Sequence, residues 1–502
     1  MPGGELQLAY KAGQDEYFTG NPSMSFFHRE YKQFTDFSME LIQLDDDNSS
    51  NNLNNFQEDS TLKYKIPRNA DILTQIFVEY QLPAIYSSDA KQFQWIRRIG
   101  EYMIKEFRIM GSDGRVYSRI RSELLHINSE LNTPYGKLQH YYEQIGHVPQ
   151  LYDPSAATGG IYPARAKPSS GDSGIPSIAP RRILVPIPHW GGEFTNTGIP
   201  LCAMRNMELR IEIDIRPLSH IYTVIDTDAR NTTFGTRIRP VNAGDYLFNF
   251  TNTTTTDTLP SISVNVYGNY TFLSSAEKNS IAKSNVEYLI GEYQYIENII
   301  DRGSGGNYRF DIRNINQPVR QVHFMMRRQD NENTNQWDNY TIWERDNTPI
   351  GDIANPLRTG YLSEYNNAYS FDNIESIQSL LYTPNIITNV ELLLNGESRF
   401  KLQPYEFFEY NSWQHNPYYN PVGLRGIYGY SFAIKNGLYQ PTGMCNFSAI
   451  GTKELRLSTK ALNSVTRTQG VEFDGNYRTI FIAQNWNIFI SRAGMVGVQF
   501  AA

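Results

Sequence analysis

Apolar side chains recur at every second position through many short stretches of the chain. From Glu208 to Arg216, Leu209, Ile211, Ile213 and Ile215 alternate with charged residues, so an extended backbone puts the apolar groups on one face and the charges on the other. The same period appears in Ile262, Val264 and Val266, in Leu455 and Leu457, and in Trp486, Ile488 and Ile490. These runs are short and rich in β-branched or aromatic residues, which predicts half-buried strands. Turn chemistry separates them. Asn395-Gly396 follows Val390 to Leu394, and Gly111 to Gly114 follows Phe107 to Met110; Asn and Gly accept positive φ at little cost, so each connection predicts a hairpin. Helical signals are few. Ser274 and Glu277 have the spacing of a capping box and predict a short helix over Lys278 to Lys283, whereas Trp95 to Phe107 fits a helical and a strand face equally.

The strand pattern recurs at long range. Glu208-Leu209-Arg210-Ile211 and Glu454-Leu455-Arg456-Leu457 lie 246 residues apart (208 to 454), each after a Pro-then-Cys segment, Pro200 to Cys202 and Pro441 to Cys445. The hairpin glycines Gly111 and Gly396 recur at 285 residues (111 to 396), in the same order relative to those strands. Two similar β units in tandem, with loop insertions in one half, account for both spacings. Each half has room for about eight strands in two packed sheets. The expected fold is all-β: a double jelly roll of two tandem eight-stranded antiparallel β-sandwiches, with long loop insertions and few short helices. Its expected divisions are an N-terminal arm over residues 1–25, a first jelly roll over 26–220 and a second over 221–502.

Three tracts predict loops. Eight prolines between Pro149 and Pro188 exclude a central strand there, because each removes a ladder donor. Gln329 to Pro384 is rich in Asn, Asp and Tyr and lacks long apolar runs; this tract and the proline-rich one are expected on the surface. Asp45 to Asn55 reads as a polar tip.

Composition narrows the function. Across 502 residues, 45 Lys and Arg stand against 52 Asp and Glu, for a net charge of −7. The basic pairs Arg97-Arg98, Arg181-Arg182 and Arg327-Arg328 are dispersed, which argues against a coat held directly on nucleic acid by phosphate neutralisation. Aromatic residues make up 13% of the chain, enough area for large cores, so wholesale disorder is excluded. The N-terminus lacks the basic-then-apolar order of a signal peptide, and no stretch approaches the roughly 20 apolar residues of a membrane span, so neither secretion by that route nor a helical anchor is expected. Cys202 and Cys445 are the only cysteines; they exclude a disulfide framework and read as small buried packing residues in a reducing compartment.

No constellation reaches the specificity of a catalytic or metal site, so catalytic, cofactor-binding and metal residues are all expected to be none. The chain has no G-x-S-x-G elbow, and neither cysteine has a nucleophile-like context. His189-Trp190-Gly191-Gly192 is the most conspicuous histidine context and reads as a packed histidine; His126, His140 and His147 lack the close pairing of zinc ligands. Asp47, Ser49, Asn51, Asn55 and Glu58 imitate the spacing of a calcium loop, but Asn52 stands where the turn needs Gly, and a solvated polar loop is expected. Gly303 to Gly306 lacks the Lys-Ser/Thr of a phosphate loop. Asn-X-Ser/Thr sequons at Asn231, Asn269 and Asn446, among others, are attributed to the Asn-rich composition.

Several segments together resemble a known family. Gly3-Gly4-Glu5-Leu6-Gln7-Leu8, Gly13-Gln14-Asp15 and Thr19 to Phe27 resemble the opening of the major capsid proteins of nucleocytoplasmic large DNA viruses. Ile66-Pro67-Arg68, Asp71-Ile72-Leu73 and Leu82-Pro83 look like its next strand pair, and Leu184 to Trp190 with Ile199-Pro200-Leu201 like its first-domain signature, His189 replacing the usual apolar or aromatic residue. Gln440 to Ser448 is similar to the family's most specific motif, and Asn485-Trp486-Asn487 with Gly494 to Gly497 resembles its ending. The matches keep the family's order from residue 3 to about residue 500.

The resemblance implies a non-enzymatic structural protein that self-assembles as homotrimeric pseudo-hexagonal capsomers tiling an icosahedral shell. It implies contacts with neighbouring capsomers and with minor capsid and penton proteins, and assembly in the host cytoplasm into the virion capsid. No cofactor and no direct nucleic-acid contact are expected. The N-terminal arm would lie under the capsomer, against minor capsid proteins or the inner-membrane side. The Tyr- and Trp-rich loops and the many acids also fit two other classes: a carbohydrate-binding or carbohydrate-active β-sandwich, and a receptor-binding spike.

Overall fold

The computed structural model describes residues 3–28, 31–46, 52–53, 55–167, 174–193, 197–231, 235, 237–251, 262–300, 306–341, 385–420, 423–459, 476–492 and 494–500. The chain divides into two units, Met1–Phe37 and Ser38–Ala502. In the first, the helices Gly3–Ala9 and Glu16–Thr19 bury nothing, and no strand forms among the described residues before Phe37. The expected arm over 1–25 is thus too short: none of the described residues among 26–36 pairs in a sheet, and the first roll starts at β1.

In the second unit, eight strands of the first half are β1 (Phe37–Gln43, from the unit's border), β2 (Ser60–Lys65), β3 (Ile72–Leu82), β4 (Ile104–Gly111), β5 (Val116–Arg121), β6 (Arg181–Ile187), β7 (Leu209–Ile215) and β8 (Ile262–Leu273). One sheet runs β1-β8-β3-β6 and the facing sheet β2-β7-β4-β5. The second half repeats the set with β9 (Val286–Ile300), β10 (Asn307–Asp311), β11 (Pro318–Arg328), β12 (Ile387–Leu394), β13 (Glu397–Pro404), β14 (Ile427–Ser431), β15 (Lys453–Thr459) and β16 (Tyr477–Arg492). Its sheets run β9-β16-β11-β14 and β10-β15-β12-β13. Strand for strand the order is the same, 1-8-3-6 facing 2-7-4-5. This is the winding of a jelly roll, present twice, as the sequence periodicity predicts.

The long-range spacings now have a cause. β3 and β11 begin 246 residues apart (72 to 318), the offset seen between the Glu-Leu-Arg motifs. The connection from strand 3 to strand 4 takes 21 residues in the first half (83–103) and 58 in the second (329–386), which pushes the hairpins to 285. The connection from strand 5 to strand 6 takes 59 residues in the first half (122–180) and 22 in the second (405–426), which restores the original offset. Insertions therefore lie in both halves, not in one, and they cancel.

The boundary expected at residues 220 and 221 also moves. β8 pairs with β3 from Ser263 opposite Gln81 to Thr271 opposite Ile72, so it completes the first half. The changeover falls after Leu273, in the helix Ser275–Lys283, where the Ser274 hydroxyl accepts the Glu277 amide at 3.4 Å as the capping box predicts. Trp95 to Phe107 proves to be both elements in turn: a strand end at Gln94–Trp95, the helix Ile99–Met103, then β4. Pro186 sits in β6, an edge strand, where a missing amide donor is tolerated. The Asn395-Gly396 hairpin has φ of 53° and 82°, the left-handed backbone its two residue types allow.

Burial on β11 and β16 is nearly continuous rather than alternating. In both strands successive side chains enter different cores. Val322, Phe324, Met326, Phe481 and Ala483 fill the second roll, whereas Met325, Ile480, Ile482 and Phe489 join the core that contains the first roll. The sheet β9-β16-β11-β14 is thus covered on both faces, the outer one by the first roll. Replacing Phe481 by Ala or Ile482 by Ala is expected to cost about 3–5 and 2–5 kcal/mol, respectively, in urea unfolding. A near-zero effect at Ile482 would mean that the outer face is not a core.

Candidate functional site at the junction of the two rolls

The outer face of β9-β16-β11-β14 meets three pieces of the first roll: β5, the helix Ser122–Asn132 that follows it, and the short helix Trp190–Glu193 after β6. Apolar contact comes first. The Trp190 and Phe489 rings are 4.4 Å apart, and the Tyr117 hydroxyl donates to the Val496 carbonyl at 3.1 Å. Around these lie buried ions, which must be paired to be tolerated in a low dielectric.

Arg327 is the central one. Its guanidinium donates to Glu332 at 2.9 and 3.0 Å, to Glu123 of the opposite roll at 3.4 Å and to the Trp337 carbonyl at 3.0 Å. Arg478 reaches Glu332 at 2.7 Å, and Arg216 stacks over the Trp337 ring at 4.1 Å. Burial disfavours the charged carboxylates of Glu123 and Glu332, but Arg327, joined by Arg216 at one and Arg478 at the other, outweighs it and holds both pKa values below the ordinary range. For Arg327, burial pulls the pKa down and the Glu332, Tyr340 and Glu123 fields overcome it, so its charge is fixed.

A second cluster joins the rolls beside it. Arg98, at a left-handed φ of 50°, pairs with Glu101 at 2.7 Å and with Glu130. Tyr141 donates to Glu101 and Tyr142 to Glu130, each at 2.8 Å, and Asn420 of the second roll donates to Glu130 at 2.7 Å. His126 bridges the Tyr102 hydroxyl at 2.8 Å and the Gly423 carbonyl at 2.7 Å. A carbonyl only accepts, so Nε2 carries the proton and Nδ1 accepts from Tyr102. A Cβ at Gly423 would lie 2.3 Å from the Glu130 carboxylate, so a larger residue there would push that carboxylate off its partners.

These clusters correct one sequence expectation. The first part of the tract Gln329 to Pro384 is not a surface loop: residues 329–341 are packed into the junction, with Trp337 and Tyr340 buried. Asparagine makes this possible by satisfying backbone groups. Asn335 donates to the carbonyls of Ser219 and Tyr222, both at 2.8 Å, and the Trp337 indole donates to His220 at 2.9 Å. Residues 342–384 lie outside the described residues. The basic pairs Arg97-Arg98 and Arg327-Arg328, which look like dispersed surface charge in the sequence, are buried, and they supply the central cation of each cluster.

A cavity of about 520 Å³ opens beside Arg327. Its six carboxylates, on Asp59, Glu106, Glu123, Asp214, Glu297 and Glu332, each pair with Lys or Arg. Sugar hydrolysis needs one carboxylic acid with a raised pKa, and the shifts at Glu123 and Glu332 run the other way. The arrangement locks two rolls together and is poorly suited to proton transfer.

The histidines and cysteines singled out from the sequence are dispersed. His189 is buried, accepts the Gly191 amide at 3.1 Å and has its pKa lowered to about 4 by burial. His147 is half-buried and stacked on Tyr152, with its pKa lowered well below the usual value by desolvation and then by Arg98 and Arg97. His140 is exposed beside Glu143. Cys202 and Cys445 are half-buried rather than fully buried, and burial raises both thiol pKa values, opposite to an activated nucleophile. Among the described residues no group of three His, Cys, Asp or Glu side chains converges to hold a metal. Asp47, Ser49 and Asn51 of the calcium-like spacing and residues 303–305 of the glycine run lie outside the described residues.

Two results are expected from this chemistry. Arg327→Met leaves Glu123 without its guanidinium and should cost about 3–5 kcal/mol, part of which Arg327→Met with Glu123→Gln should restore; equal unfolding midpoints for wild type and Arg327→Met would contradict the pairing. His189, His220 and His323 are each held near pKa 4, chiefly by burial, against the ordinary 6.5. Between those values the unfolded chain binds protons that the folded chain refuses, so stability present above about pH 6.5 is lost as pH falls toward about 4. The urea midpoint should fall steadily over that window; a flat profile would contradict neutral buried imidazoles.

Known proteins agree with this geometry. The sequence model described as "Major capsid protein N-terminus" matches residues 25–274, and that described as "Large eukaryotic DNA virus major capsid protein" matches residues 277–497, so their junction coincides with the helix Ser275–Lys283. The major capsid proteins of Phaeocystis pouchetii virus and of Paramecium bursaria Chlorella virus 1 are each 24% identical, with 100% of both chains covered. Among solved structures, PBCV-1 VP54 shares the fold with a TM-score of 0.65 at 18% identity, over 95% of this chain and 100% of that one. The Faustovirus major capsid protein gives 0.63 at 14%, over 96% and 94%. With two jelly rolls of one strand order locked by a buried seam, and both family models filled in sequence, this chain belongs to the major capsid proteins of the nucleocytoplasmic large DNA viruses.

Proposed function

We propose that the chain acts without a catalytic centre, as a homotrimer whose six jelly rolls form a pseudo-hexagonal capsomer, and that such capsomers tile an icosahedral shell. The observation that carries this reading is the repetition of one roll twice in a single chain with a built contact between the copies. A unit that already contains one roll–roll contact needs only to repeat it to close a ring, and closed rings avoid open-ended growth. The first roll extends through β8 and the second begins at β9, with the arm preceding β1. The paired carboxylates at the junction support a structural role over carbohydrate hydrolysis. Minor capsid and penton proteins are the partners proposed for the rim and vertices. The arm is assigned to minor capsid proteins or the inner-membrane side on the strength of its exposed Tyr17, Phe18 and Phe27.

Light scattering after size exclusion, with negative-stain imaging, is expected to give a trimer of hexagonal outline. A monomer that turns over glycans would overturn the reading. Deleting residues 2–20 should leave trimers intact and impair shell assembly, and normal shells from that deletion would refute the role given to the arm.

A further inference from the structure

The internal repeat leaves half of a contact unmade within the chain. In the first roll, the helix Ser122–Asn132 starts directly after β5 and presents its second and ninth residues, Glu123 and Glu130, to the second roll, where they meet Arg327 and Asn420. In the second roll, the helix Tyr405–His415 has the same length and starts directly after β13. Its second and ninth residues, Glu406 and Trp413, are exposed, and so is Tyr410 on the same face. The chain after β14, the counterpart of the Trp190–Glu193 region, adds exposed Ile434, Leu438 and Met444. All the pieces that cover a sheet in the first roll are thus present in the second, with large apolar groups facing solvent.

The matching receptor is present too. The outer face of β9-β16-β11-β14 is occupied by the first roll; its counterpart in the first roll is the outer face of β1-β8-β3-β6. On β1, Ile42 leans on the core, while Met39 and Leu41 point the other way and are 61% and 56% exposed. Phe77 of β3 and Tyr267 of β8, opposite one another on the outward side, continue the apolar surface. An uncovered apolar edge strand such as β1 invites pairing with another chain.

We propose that the helix Tyr405–His415, through Tyr410 and Trp413, docks on the outer β1-β8-β3 face of a second copy of this chain, so that the contact between rolls within the chain is repeated between chains. The repeat supplies the occupant: among the described residues, the outer sheet face of the second roll is met by the side of the first roll that carries strand 5 and its following helix, and the exposed example of that side lies on the second roll. The contact is heterologous, joining different patches on the two copies, as a ring requires. Trp413, a large exposed aromatic, is the type of residue that carries interface energy. This inference rests on the trimer reading and names the surfaces that make it.

Heterologous pairing has a signature that size measurement reads directly. Trp413→Glu removes the docking helix and Leu41→Glu the receptor face, each at an exposed position that should leave the circular dichroism of the roll unchanged. Tyr410→Glu and Met39→Glu form a second pair should either variant fold poorly. Light scattering is expected to find the native protein at three times the chain mass and each variant alone at one. An equimolar mixture of the two variants keeps one intact helix and one intact face and should form a dimer containing one of each, with no ring. Trimers from either single variant, or a mixture that stays monomeric or regains trimers, would overturn the pairing while leaving the capsid reading standing. A monomeric native protein would instead overturn the trimer itself.

Discussion

The structure depends on one constraint: the two central strands of the sheet β9-β16-β11-β14, β16 and β11, are covered on both faces. An antiparallel sheet ordinarily buries one face and wets the other, which is why most strands here alternate. β11 and β16 instead send alternate side chains into two cores, with Phe324 and Phe481 on one side and Met325 and Ile482 on the other. Two jelly rolls that share a sheet in this way cannot swing independently, because separating them would expose an apolar surface. A fixed angle between rolls is what a tile requires, and here it comes from side-chain packing rather than from a linker.

Ions refine what the apolar contact holds. A buried carboxylate is costly alone, and Glu123, Glu130 and Glu332 are each held by a guanidinium. Such pairs add less net stability than an apolar substitute of the same shape would, but they discriminate strongly against a shifted register, since any slip leaves a charge without its partner. Glycine at Gly423, which accommodates the Glu130 carboxylate, and the left-handed Arg98 belong to the same lock. Its weakness is acid, because every lowered carboxylate and every neutral buried imidazole acts in the same direction as pH falls.

Much of the fold is legible in the sequence, and the reason is geometric. A strand with one wet face writes its burial as alternation, so β7 and β15 are plain in Leu209 to Ile215 and in Leu455 and Leu457. The hairpin glycines and the Ser274 cap are local, so they too are visible. The site is harder to read because its signal is buried polarity, which has no period. Arg98 and Arg327 look like solvated charge, and Gln329 to Tyr340 looks like a loop, because burial of such residues is decided by partners from distant elements. The boundary lies after Leu273 and not near residue 220 for the same reason: β8 belongs to the first roll through pairing with β3, nearly two hundred residues away. Continuous apolarity in β16 was the available hint that both faces were covered, and only its last third, Trp486 to Ile490, shows the plain alternation.

The account makes the contact between rolls within the chain the template for the contact between chains. A cryo-electron microscopy reconstruction of the assembled shell, at a resolution that separates strands, tests this most directly. The account predicts that the outer face of every sheet of the 1-8-3-6 order lies against the helix following strand 5 of the adjacent roll, whether that roll belongs to the same chain or to the next. A shell in which Met39 and Leu41 face solvent, with the second-roll helix packed elsewhere, would contradict it.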